Sequence, residues 1–262
     1  MRKYLYTFKS SFIESFNYVP AILFKFISFL ISMFIMYSIW GYIYQDKSQI
    51  INNFNLAQMM WYLLISEIFT YGQGPIATSE MTKDIRNGNI AYNINKPYNY
   101  VFYVLTRHLA DGTIRVFLFS ITCIIIGFLF VGPIPNFSIV YFPFMLITAL
   151  LGYVINSLIK ILIGMSSFWT EESAPFHWIY NKILLIFGVF FPIDMFPKWL
   201  RPVLLYTPVY TVIYGPVMLI IKFSYSLFIK VLFAQFIYLI IVLILLVIVY
   251  RKGVKKLNVN GG

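Results

Sequence analysis

The chain has 262 residues, 60% of them hydrophobic and only 11% charged, with a mean hydropathy of +0.80. Soluble domains carry about 25% charged residues, so the composition excludes a water-facing globular domain and indicates an integral membrane protein. The net charge of +11 does not indicate nucleic acid, because the basic clusters are short and abut apolar runs, as expected of residues that orient spans against an anionic cytoplasmic leaflet.

Residues 1–18, MRKYLYTFKSSFIESFNY, hold no unbroken apolar run and no small-residue cleavage site, so they are not a removable signal peptide. Tyr4, Leu5, Phe8, Phe12 and Phe16 recur at helical spacing, with Arg2, Lys3, Lys9 and Glu14 off that stripe. This predicts a helix lying in the membrane interface. Pro20 suits the first turn of the next helix. A crossing helix needs about 20 mostly apolar residues, and 21–44 and 59–76 supply the first two spans.

Residues 80–97, EMTKDIRNGNIAYNINKP, interrupt the apolar pattern. Ser79 is placed to cap a short helix carrying Glu80 and Asp84 in its first turns, and Gly88 to stop it. A second turn ends before Lys96-Pro97. Ile85, Ile90 and Ile94 stand as apolar knobs among amides and charges. A solvated loop does not need them, whereas a docking surface does.

Arg107, Asp111 and Arg115 recur at i, i+4, so Asp111 is expected to pair with both arginines on a third helix that starts in the cytoplasm. Residues 116–159 carry no charge and are divided by GPIPNF (132–137) into the third and fourth spans. Glu171, Glu172 and Ser173 read as a polar inner loop. A short fifth span covers about 178–192. Between it and the last span, 190–217 contains five prolines, too many for one helix in a segment too apolar for a solvated loop. A pair of short helices re-entering the outer leaflet fits both facts. The sixth span, 231–250, is followed by Arg251, Lys252, Lys255 and Lys256, which place the C-terminus in the cytoplasm. Arg2, Lys3, Lys9, Lys83, Arg86, Lys96 and Arg107 then fall inside, against Lys47, Lys198, Arg201 and Lys222 outside. The expected fold is all-α and a single membrane domain over 1–262, with six spans and both ends cytoplasmic.

Within the spans, Glu67 lines a substrate path or pairs with a basic residue such as Lys160. Asn156 and Lys160 share a helix face, and the preferred reading of Lys160 is snorkelling to the headgroups. Cys123, the single cysteine, reads as an inert core thiol. No GxxxxGK[ST] loop, GxSxG or HExxH occurs, and His108 and His177 have no His or Cys neighbours at metal-ligand spacing.

Three features together resemble the permeases of ABC-2 transporters, in particular the compact six-span bacterial exporters: the N-terminal interfacial helix, EMTKDIRNGNIAYNINKP after the second span, and the Pro-rich FPKWLRPVLLYTPVYTVIYGPV before the last. The resemblance implies that 80–97 hold a coupling helix that docks into a separate ATP-binding subunit, with Met81, Ile85, Arg86, Asn87, Gly88, Asn89, Ile90 and Ile94 at the contact. It further implies two ATPase subunits that hold ATP and Mg, no cofactor on this chain, a second permease copy or a related permease, and export of an amphipathic or hydrophobic drug, peptide or lipid. A membrane anchor that recruits a cytoplasmic partner without transport would use the same loop. A channel or ion-coupled carrier would need more intramembrane carboxylates than Glu67.

Overall fold

In the computed structural model, residues 2–46, 49–74 and 76–260 are described, with backbone alone for Ile76 and 257–260. Lys47, counted above as an outer charge, and Pro75, near the end of the second expected span, lie outside them. Among the described residues the chain is helical and has no named strand.

Helix α1 (Arg2–Ser15) passes through one 3₁₀ turn into α2 (Val19–Ile43), with Pro20 in the first turn of α2 as expected. Ser11 and Ser15 are buried on the inward side of α1; of the expected stripe, Tyr4, Phe8 and Phe12 are half-buried, while Leu5 and Phe16 face outward. A short turn at Asn52–Asn53, both at positive φ, leads to α3 (Leu56–Tyr71), whose start is fixed by a reciprocal cap: Gln58 N–H donates to Asn55 Oδ1 at 2.8 Å and Asn55 N–H to Gln58 Oε1 at 3.2 Å.

The chain then breaks at Gly72–Gly74, before α4 (Ile76–Arg86). This corrects two expectations. The second expected span ends as a helix at Tyr71, not Ile76, and the short polar helix after it starts at Ile76, so Ser79 lies inside it and caps nothing. The reason is the close approach of the helix over Tyr100–Phe130. Gly72 lies flush on Val116 and Gly74 on the Asp111–Arg115 pair, at distances no Cβ would tolerate.

Gly88, at φ +72, turns α4 into α5 (Asn89–Ile94), a left-handed stop of the kind the sequence predicts. Helix α6 (Tyr100–Phe130) begins well before the uncharged run, capped by Asn99 on Phe102 N–H at 3.1 Å. Gly132, at φ +97, then opens the GPIPNF turn towards α7 (Phe142–Gly164). Next come α8 (Ser167–Thr170) and α9 (Ala174–Leu184), the latter continuing as a π-helix over Leu185–Phe190. Residues 190–217 fold as short pieces, as expected: a 3₁₀ turn, α10 (Leu200–Leu205), a second π segment (Tyr210–Tyr214) and the start of α11 (Gly215–Ile221). Helix α12 spans Tyr225–Asn260.

Four helical runs are long and apolar enough to cross a membrane: Arg2–Ile43, Tyr100–Phe130, Ile139–Thr170 and Tyr225–Lys256. Helix α3 has 16 residues, about 24 Å at 1.5 Å per residue, short of a hydrocarbon core of about 30 Å. It is nevertheless the centre of the bundle, with Met59 to Glu67 buried without a gap. Its polar side chains serve carbonyls of the first π-helix: Tyr62 Oη donates to Gly188 O at 2.5 Å and Ser66 Oγ to Val189 O at 3.4 Å. Irregular backbone inside a bilayer persists only when neighbours supply such bonds. Gln235 of α12 acts similarly, donating to Thr148 O at 2.8 Å and Thr211 O at 2.9 Å, which ties α7, the second π segment and α12 together. The outward faces of α2 and α12 are apolar, with Phe24, Phe34, Phe233 and Ile240 exposed, a surface suited to lipid.

Candidate functional site

The most sharply built feature outside the apolar bundle is the elbow α4–Gly88–α5. One face of α4 is apolar, and it turns inward. Met81 is fully buried, and a Cβ added to Gly164 of α7 would come within 2.9 Å of Met81 Cβ, so α4 and α7 are in close contact. Ile85 and Ile90 are buried too, and Ile94 is half-buried. Of the expected apolar knobs, Ile85 and Ile90 are therefore turned inward and only Ile94 keeps partial exposure, and Met81, expected at the same contact, is buried as well. Periodicity shows that a helix has an apolar face but not what covers it, and here the chain's own bundle does. Arg86, Asn87, Gly88, Asn89, Ala91 and Tyr92 remain exposed, a tip of amides and one aromatic ring.

The elbow is tied to the bundle at several points. Asp84 Oδ2 accepts from Tyr100 Oη at 2.6 Å and Asn93 Nδ2 at 2.9 Å. Asn93 Oδ1 in turn accepts from Lys96 Nζ at 2.9 Å, and that ammonium lies 4.4 Å from the Tyr92 ring centroid. Asp84 thus links α4, α5 and the start of α6. Thr82, Ser167 and Ser173 form a buried hydroxyl cluster at 2.5 and 3.1 Å that joins α4 to α8 and the start of α9. Arg107 of α6 pairs with Glu80 of α4 at 2.6 Å and Glu14 of α1 at 3.2 Å. Burial pushes the Glu80 carboxyl above its ordinary range, while Arg107 opposes that shift. Arg86–Glu172, at 3.6 Å and exposed on both sides, adds little. Lys3 Nζ donates to Pro97 O, and Asn99 N–H donates to Tyr4 Oη at 2.9 Å, so α1 braces the far end of the loop.

The expected ladder Arg107–Asp111–Arg115 is half formed. Arg115 holds Asp111 bidentately, Nε to Oδ2 at 2.8 Å and Nη2 to Oδ1 at 3.1 Å, whereas Arg107 is drawn away by Glu80 and Glu14. Between α1, α4 and α6 lies a polar cavity of about 460 Å³, lined among others by Glu14, Glu80, Arg107, Asp111 and Arg115.

The intramembrane candidates are not brought together. Glu67 is 1% exposed, accepts from Ser32 Oγ at 3.3 Å, and leaves Oε2 without a partner. Asn156 Oδ1 accepts from Tyr180 Oη at 2.7 Å. Lys160 does not pair with Glu67. Nor does its side chain lie along the outer surface, as snorkelling would require, for the residue is 4% exposed. Cys123 is buried, with Sγ 3.2 Å from Leu64 O. Among the described residues no three His, Cys, Asp or Glu side chains come together to hold a metal. Sequence reasoning missed Tyr100 and Arg107 as loop partners. Their contacts span 16 to 93 residues and follow no local period.

A family model described as ABC-2 family transporter protein matches residues 30–261, which leaves α1 ahead of the matched region. No curated protein matches the chain.

Proposed function

We propose that this chain, which belongs to the ABC-2 family of transporter proteins, is the membrane permease subunit of an ABC transporter. In this reading it sits in a bacterial inner membrane with both termini cytoplasmic. Helices α2, α3, α6, α7, α9 with its π extension, and α12 make six passes, with 190–217 re-entering from the outer face. ATP and Mg are held by two separate ATP-binding subunits, and a second permease, identical or related, completes the membrane part. The cargo is an amphipathic or hydrophobic drug, peptide or lipid moved outward, in keeping with the apolar and aromatic walls.

The observation that carries the reading is the α4–Gly88–α5 elbow: a polar tip held on a stiff frame. Displacement of the tip passes through Asp84–Tyr100 and Glu80–Arg107 to α6, and through the Met81–Gly164 contact to α7. A rigid element that reaches two long helices is what a switch between inward- and outward-facing arrangements needs. The burial of Met81, Ile85 and Ile90 refines the docking contact: it falls on Arg86, Asn87, Gly88, Asn89 and Tyr92, while the isoleucines and Met81 stiffen the handle from within.

The test is hydrolysis by the partner ATPase, measured in proteoliposomes with and without this chain. A permease raises the rate, and raises it further with transported cargo. A bare anchor binds the ATPase and changes neither.

A further inference from the structure

Helix α12 holds no proline, and Gly253 is its only glycine. Sharp kinks need proline, small-residue pairs or a group inserted in the ladder, so residues 236–252 form a stiff rod. Both ends of that rod are fitted to other parts of the fold by contacts without slack.

At the α8 end the joint is Gly253. It is buried, and a Cβ there would overlap the Phe168 ring of α8, so the ring seats directly on the α12 backbone. Phe168 is itself 6% exposed. Its neighbour Ser167 donates to Thr82 Oγ1 of α4 at 3.1 Å. One hydrogen bond and one ring therefore separate the elbow from α12.

At the other end the joint is Gln235, about 27 Å along the helix at 1.5 Å per residue. Its amide donates to Thr211 O, inside the second π segment, and to Thr148 O of α7. Gln235 Oε1 is buried without a partner. A leucine would leave no such orphan, so the use of the amide lies in the two carbonyls it satisfies. Helix α12 also lies flush on Gly215, where a Cβ would come within 2.8 Å of Val231. Helix α7 closes on the same segment at Gly152, where a Cβ would lie 3.1 Å from Thr211 O and from Val212 O. The segment Tyr210–Tyr214 is buried throughout, and π turns of this kind are frequent at functional positions.

We propose that α12 is a rod that transmits movement of the α4–α5 elbow to the second π segment, with Phe168 and Gln235 as positioning residues at its two joints. Movement of the tip shifts α8 through Thr82 and Ser167. The Phe168 ring then carries Gly253, and Gln235 carries Thr211 O. The elbow thereby acts on the Pro-rich segment 190–217 as well as on α6 and α7. The place of this rod in a transport cycle rests on the permease reading; the link itself is a property of the chain and is tested on the chain alone.

The experiment is hydrogen–deuterium exchange of the purified full chain in detergent micelles, read at the amides of 210–215 and, as an internal control, of 119–126 on α6. Gly253→Ala displaces the Phe168 ring from its seat and should raise exchange at 210–215 by about threefold or more, with the α6 control unchanged. Adding Phe168→Leu to Gly253→Ala makes room for the new methyl group and should restore the wild-type rate. Gln235→Leu sets a new baseline at 210–215, and in that background Gly253→Ala should add nothing. Sites this far apart act independently unless a physical link joins them, so the vanished effect identifies the rod. If Gly253→Ala does not fold, Phe168→Ala loosens the same joint and replaces it in both backgrounds. Unchanged exchange at 210–215 overturns the proposal. So does an equal rise in the α6 control, which means general loosening, or a full effect that survives Gln235→Leu. The expected exchange pattern without any stimulation of the ATPase would uphold the rod and fault the permease reading instead.

Discussion

Asp111→Ala should destabilise the protein by about 3–5 kcal/mol, the loss expected when one partner of a buried ion pair is removed. Asp111 is fully buried and Arg115 nearly so, and the two are held by two hydrogen bonds on one turn of α6. Removing the carboxylate leaves a guanidinium inside the bundle with its charge unmatched. The backbone at Gly74 fits against that carboxylate so closely that an added Cβ would lie 2.0 Å from Asp111 Oδ2, so the lost group also leaves a gap where α3 passes to α4. The double variant Asp111→Leu/Arg115→Met should recover most of the loss, because buried pairs are often dispensable once both charges are gone. Unfolding midpoints of the single and double variants check this. Equal losses in both would mean that packing at Gly74, and not charge, dominates.

The second large effect concerns the exposed tip. Tyr92→Ala should weaken docking of the ATPase roughly tenfold, as loss of an aromatic contact at an interface does, and should cut ATP-driven transport with it. Stability should stay within about 0.5 kcal/mol of wild type, because Tyr92 is exposed and the Lys96 ammonium over its ring keeps its hydrogen bond to Asn93 Oδ1. Ile85→Asp would not separate the two effects: Ile85 is buried, and a carboxylate placed there disrupts the packing of α4 before any docking is measured. Gly88→Val is intermediate. It meets no neighbouring atom, yet φ is +72, and a β-branched residue in that region costs on the order of 1–2 kcal/mol. ATPase affinity for purified variants, set beside their unfolding midpoints, distinguishes contact from support. An unchanged affinity for Tyr92→Ala would move the docking surface away from the tip.

The contrast between Ile85 and Tyr92 shows what the sequence discloses. The long spans, the turn at GPIPNF, Pro20 at a helix start and Gly88 at a helix end follow from hydropathy and from the local geometry of proline and glycine, so they are legible without any tertiary contact. The apolar face of α4 was legible as well, but its neighbour was not: the close approach of α7 depends on Gly164, some eighty residues away. Lys160 fails for a related reason. Its side chain is long enough to snorkel, and only tertiary packing decides that the residue is 4% exposed. The early end of α3 depends on the close approach of Val116, Asp111 and Arg115 to Gly72 and Gly74, and the two π segments on carbonyls satisfied from other helices, none of which a local pattern encodes. Arg107 was legible as one rung of an i, i+4 series, yet Glu80 and Glu14 outcompete Asp111, whose partner is one turn further on.

The account rests on the elbow between α4 and α5 being a handle worked from the cytosol. Its most direct test is accessibility of a cysteine at Asn89, introduced into a Cys123→Ala background and probed in intact cells with a membrane-impermeant maleimide. Asn89 is exposed at the tip, so geometry does not limit the reaction. The account predicts no labelling until the cells are permeabilised, and full labelling afterwards. Labelling of intact cells would place the handle on the outer face and contradict it.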